Sequence, residues 1–181
     1  MQEADSEAEL SYGRWSIAIV GRVVDDRGRA AADFVGRQSD EAITAAYDAE
    51  EFQLEIGGQR LNADDVQEYL EPHKQRSVVL EATTLGFVEI FLICRAMRKL
   101  GGQFVTLLYV EPRRYANPRR SHLLERRDFE LSEEVPGYKA IPGATLMMTD
   151  RRPVRAVFFL GYEGERLALA LEGYQMIRPG D

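Results

Sequence analysis

Apolar residues fall along this chain in short runs of strand length, separated by polar turns that are often marked by glycine. Residues 77–112, SVVLEATTLGFVEIFLICRAMRKLGGQFVTLLYVEP, carry this pattern furthest. VVL reads as a buried strand and EATTLG as a polar turn. FVEIFLICRAMRKL has the length and apolar spacing of a helix, with Leu100-Gly101-Gly102 as its carboxyl cap. FVTLLYV is a second strand. Strand, helix and strand in that order make a βαβ unit, whose two strands pair in parallel.

The same reading extends to both sides. Residues 15–24, WSIAIVGRVV, predict a buried strand, and Asp25-Asp26 predict the cap of a short alanine-rich helix. Residues 42–47 predict another strand. FQLEIGGQRL, residues 52–61, alternates apolar and polar positions around Gly57-Gly58 and predicts a β-hairpin. Asn62 is placed to cap a helix over ADDVQEYLEPHK that Pro72 ends or kinks. Further on, 129–131 and 145–148 suit short strands, VRAVFFL (154–160) a strong one, and GERLALALEGYQM a helix. The fold class expected is α/β: a Rossmann-like, mostly parallel sheet flanked by helices, with a β-hairpin insertion. Residues 1–13 read as a disordered acidic lead-in, and 14–181 as a single Rossmann-like domain.

Composition narrows the class. The 181 residues carry 30 acidic and 23 basic side chains, for a net charge of −7, which argues against a general nucleic-acid or anionic-membrane binder. The lone cysteine, Cys94, excludes an internal disulfide and a cysteine zinc site, and fits a reducing, cytoplasmic home. His73 and His122 stand apart from any ligand cluster, so no metal is expected. Glu89 and Arg95 interrupt the longest apolar run, which is too short to span a bilayer.

Candidate chemistry begins at residues 81–86. A turn at the carboxyl end of a parallel strand offers free N–H groups and the positive end of a helix dipole. Thr83 and Thr84 add hydroxyls, Gly86 admits a ligand to the backbone, and Glu81 suits a ribose hydroxyl or a base. The structural alternative is that a threonine caps the helix and Glu81 pairs with an arginine. Glu89 falls on the apolar side of that helix. It is expected to be paired, protonated or close to the open end of the sheet, as an acid/base partner of Glu81 or in a buried pair with arginine. No catalytic assignment is made beyond these two candidates.

Arg27 and Arg166 each follow an apolar strand and open a helix, where the dipole does not favour a cation. Together they suggest a clamp for a phosphate or carboxylate, against salt bridges to nearby acids. Gly161 and Tyr162 lie in the turn before Arg166, where the glycine frees the backbone and the tyrosine suits stacking on a base. Arg113, Arg114, Arg119, Arg120, Arg126 and Arg127, interleaved with Tyr115 and His122, form a basic segment suited to RNA or an acidic partner, or to balancing the acids downstream. Dinucleotide, P-loop and GxSxG signatures are missing.

The unit VVLEATTLGF–helix–FVTLLYVEP resembles the CARF family of CRISPR-associated Rossmann-fold ligand sensors. In that family a strand ends in an Asp-x-Thr or Asn-x-Thr turn. The resemblance implies ligand contacts at Glu81 and Thr83 and at the turn holding Gly161 and Arg166, and it implies a homodimer. Glu81 replaces the usual Asp or Asn, and Phe87 stands where a basic residue is often found. The leading expectation is a module that binds or senses a nucleotide or phosphorylated ligand in a prokaryotic defence or signalling system. The alternatives are a small enzyme acting on a nucleotide or nucleoside, with Glu81 or Glu89 as base, and a non-catalytic interaction subunit that uses the arginine segment.

Overall fold

A computed structural model describes residues 13–102, 104–111 and 141–143, all within one compact unit. The elements in order are β1 (Ile17–Val20), α1 (Asp26–Arg37), β2 (Ala42–Asp48), β3 (Gln53–Ile56), β4 (Gln59–Leu61), α2 (Asp65–Leu70), β5 (Val78–Glu81), α3 (Phe87–Lys99) and β6 (Val105–Leu108). They build a mixed six-stranded sheet in the order β4-β3-β2-β1-β5-β6. The four strands β2, β1, β5 and β6 run parallel, while β3 and β4 pair antiparallel at one end.

Alternation along the strands decides which face each helix covers. Ile17 and Ile19 of β1 and Val78 and Leu80 of β5 share a buried core with Leu54 and Ile56 of β3. The same core takes in Val66 and Leu70 of α2 and Leu92, Ile93 and Met97 of α3. On the opposite face Ala18 and Val79 meet Phe34 and Val35 of α1 and the indole of Trp15. Trp15 and Phe34 lie edge-on at 6.4 Å. Every β1 and β5 position is therefore packed on one side or the other, which explains why IAIV and VVL read as unbroken apolar runs.

Local chemistry sets the boundaries. Asp25 caps α1 by accepting the Gly28 N–H at 2.6 Å, and acidic Asp26 and basic Arg37 sit at the dipole ends that suit them. Gly57 and Gly58 hold positive φ of 55° and 78°, joining Ile56 to its partner Gln59 through a two-residue turn that only glycine enters cheaply. At the carboxyl end of α3 the Gly102 N–H reaches the Met97 carbonyl at 2.9 Å, the closure expected from Leu100-Gly101-Gly102.

Two elements are bounded differently from the sequence reading. The strand expected over 15–24 is confined to Ile17–Val20, because the Gly21 N–H leaves the ladder for a side chain on the turn after β5. Val23 and Val24 lie in an exposed loop. The helix expected to start at Ala63 starts at Asp65 instead. Asn62 does not cap it but closes the preceding turn, its carbonyl accepting the Asp65 N–H and its amide meeting the Asp65 carboxylate, both at 3.0 Å. Cys94 stands on the exposed side of α3. The elements expected beyond residue 112, apart from 141–143, lie outside the described residues. Among the described residues no helix is long and apolar enough to cross a membrane.

Candidate functional site at the carboxyl edge

The strands β1, β2, β5 and β6 all end at the same edge of the sheet, and three of the following segments meet there. The closest meeting is between β1 and β5. Gly21, the residue after β1, donates its N–H to Thr84 Oγ1 at 2.8 Å. A side chain at position 21 would overlap the Thr84 carbonyl and lie 2.6 Å from the Leu85 nitrogen. Only glycine permits that approach.

Beneath this contact lies Glu81, the last residue of β5, with 0% of its surface exposed. Its side chain folds back onto its own turn. Oε1 accepts the Thr83 N–H at 2.7 Å and Oε2 accepts the Thr84 N–H at 3.0 Å. The Thr84 hydroxyl donates to Oε2 as well, in a short hydrogen bond. Both carboxylate oxygens are thus engaged, which is how a charge tolerates full burial. The Glu81 carbonyl accepts the Leu85 N–H at 3.1 Å, closing the turn from its other side.

The two threonine hydroxyls are also committed. Thr84 ties β5 to Glu81 and Gly21, while Thr83 Oγ1 accepts the Val110 N–H at 2.9 Å from the segment after β6. With the Ala82 N–H bonded to the Leu108 carbonyl at 2.7 Å, residues 81–84 lash three strand ends together. Neither threonine caps α3, so the simple capping alternative does not describe this turn. The N-cap is Gly86, in extended conformation and without a side-chain cap bond.

Glu89 occupies the first turn of α3, where the dipole favours an anion. It is half-buried, with its carboxylate beside Gly86, and its Oε1 accepts the Tyr47 N–H at 2.9 Å. The reason lies in the sheet. β1 ends at Val20, opposite Thr44, so β2 runs on past it with one side unpaired. Glu89 supplies the missing acceptor. Burial, then Asp48 and Glu89, push the Tyr47 hydroxyl above its ordinary pKa. The sequence placed Glu89 near the open end of the sheet or in a pair with arginine. It lies near the open end, and its described partner is a backbone N–H. Glu81 and Glu89 are therefore committed to different partners, the first to its own turn and the second to β2.

Arg27 projects from the start of α1 over the end of β6. Its guanidinium carbon lies 5.9 Å from the centre of the Tyr109 ring, and Nη1 is 3.5 Å from the Tyr109 hydroxyl. Asp25 Oδ2 sits 3.7 Å from Nε, close enough for an ion pair. That Nε is buried and has no hydrogen-bond partner among the described residues. Arg22 lies on the exposed loop after β1. Tyr109 itself is 57% exposed. Sequence reasoning missed Gly21, Arg22 and Tyr109. Gly21 had a signal, a glycine directly behind a buried strand, whereas Tyr109 was hidden inside the apolar run TLLYV.

A separate open groove of about 500 Å³ lies on β2–β4, lined by Ala46, Asp48, Glu50, Gln53, Glu55 and Arg60 among others. Its carboxylates, from Asp48, Glu50 and Glu55, outnumber its arginine, Arg60, so it repels a phosphate. No cluster of three or more potential metal ligands occurs among the described residues. Gly161, Tyr162, Arg166 and the arginines from Arg113 to Arg127 lie outside them. Comparison of the chain with family models, curated proteins and solved structures returns no match in any of the three.

Proposed function

We propose that this chain is a binding module for a nucleotide or other phosphorylated ligand, held at the carboxyl edge of the parallel strands between the loop after β1 and the end of β6. The Rossmann-like reading is supported by the strand order. The chain leaves β1 toward β2 on one side and β5 toward β6 on the other, so β1 and β5 flank the point where winding reverses. Open α/β sheets bind ligands outside that point.

The single observation that carries the reading is Arg27, whose guanidinium lies over an exposed aromatic ring at this edge. Arginine offers a planar fork of donors to phosphate oxygens. The turn at 81–86 serves differently from the expectation of an anion cradle. The N–H groups of Thr83 and Thr84 already bond Glu81, and Glu89 adds a further negative charge at the start of α3. Glu81 acts by fixing the turn and not by moving a proton, and the phosphate is drawn to Arg27 and Arg22 instead. A role as a ligand sensor of the CARF kind agrees with this arrangement.

A thermal-shift panel of mono-, di- and cyclic oligonucleotides tests the proposal. A ligand present at a hundred times its dissociation constant adds about 2.7 kcal/mol. For a chain of this size that raises Tm by roughly 5–10 °C. Absence of any shift across the panel, with folded protein, contradicts it.

A further inference from the structure

The geometry points to Tyr109 as a stacking platform for a nucleobase, which sorts nucleotides from other phosphorylated ligands. This inference rests on the binding reading above. Tyr109 directly follows β6, and the next residue, Val110, is held to the turn after β5 by its N–H, which Thr83 Oγ1 accepts at 2.9 Å. One side of its ring is taken by the Arg27 guanidinium, 5.9 Å from the ring centre. The residue nevertheless keeps 57% of its surface exposed. An aromatic ring backed by a cation and open to solvent is unused stacking area, and it stands next to the arginine assigned to the phosphate.

The two groups suit the two ends of a nucleotide. The guanidinium and the ring share one contact, so a phosphate on Arg27 leaves the attached nucleoside within reach of Tyr109. Stacking is tolerant of base identity because every base presents a π face. Tyr109 therefore selects for the presence of a base and not for its sequence letter, and any base preference arises elsewhere.

The test compares isothermal titrations of the four nucleoside 5′-monophosphates with ribose 5-phosphate, which keeps sugar and phosphate but lacks the base. Wild-type chain, Tyr109→Ala and Tyr109→Phe are each titrated. Exposure of Tyr109 makes both variants safe for folding, and their unliganded Tm verifies it. The expected result is that nucleotides bind at least tenfold more tightly than ribose 5-phosphate. Tyr109→Ala should weaken nucleotides roughly 5- to 150-fold, the range for one lost base–aromatic stack, while leaving ribose 5-phosphate within about twofold. Tyr109→Phe should retain nucleotide binding. Equal binding of nucleotides and ribose 5-phosphate, or full nucleotide affinity in Tyr109→Ala, overturns the stacking role while the phosphate site stands. Failure of all five compounds to bind overturns both.

Discussion

The Gly21 N–H and the Thr84 hydroxyl, 63 positions apart in the chain, meet at 2.8 Å and join the ends of β1 and β5. Everything placed at the carboxyl edge depends on that closure. With no Cβ at Gly21, the Thr84 carbonyl comes close enough for its hydroxyl to reach back to Glu81 as well.

Replacing Gly21 by alanine should therefore be costly, because both sides of the overlap are backbone. A loss of about 1–3 kcal/mol or more is expected, in the range of overpacked sites. Gly36→Ala provides the contrast. Gly36 lies in α1 with nothing within 4 Å of an added Cβ, so this change should stabilise by up to about 1 kcal/mol. Urea denaturation of the two variants gives opposite signs if the contact is as described.

Glu81→Gln should lower stability by about 1–3 kcal/mol, since an amide turns a donor toward N–H and O–H groups that need an acceptor. Thr84→Val removes the hydroxyl between Glu81 and Gly21 and should cost a similar amount. The double variant should lose less than the sum of the two, by 0.5 kcal/mol or more on the order of ordinary coupling energies. Strict additivity would show that the carboxylate and hydroxyl act independently.

Glu89→Ala leaves the Tyr47 N–H without its acceptor and should destabilise by about 1 kcal/mol. Glu89→Gln keeps a carbonyl oxygen at that place and should cost less than half as much. Equal losses in the two variants would mean that the charge at the start of α3, and not the hydrogen bond, is what matters.

His73 gives a pH dependence with a definite sign. Burial, then the nearby Arg76, lowers its pKa in the folded state, with Glu41 opposing. Protonation therefore favours the unfolded chain. The contribution is present above the unfolded value, near pH 6.5, and is lost as pH falls through the lowered folded value. Tm should drop as pH falls below about 6.5, and His73→Gln should flatten that part of the curve. An unchanged profile would assign the drop to other groups.

The two parts of this structure were not equally visible in the sequence. The strand–helix–strand order of 77–112 was legible because β5 is packed on both faces, β6 is an apolar run beside it, and the helix between them ends in a glycine cap. The turn between β3 and β4 was legible because Gly57-Gly58 has few other uses between alternating residues. The site was legible only in position. Glu81, Thr83 and Thr84 stood out as polar groups behind a buried strand, but their partners are set by the fold. Arg27 and Tyr109 meet across 82 positions, and no local spacing signals such a pair. Asn62 misled because a residue that caps helices also closes turns, and its side-chain oxygen accepts from Gln53 Nε2 and not from a helix N–H.

The ligand site proposed here lies beside Arg27 and Tyr109. Amide chemical-shift mapping during titration with adenosine 5′-monophosphate tests it most directly. The largest changes are expected on Gly21–Gly28 and Leu108–Glu111, and they should vanish in Arg27→Ala. Changes centred on Asp48–Arg60, or a complete absence of change at the carboxyl edge, would contradict it.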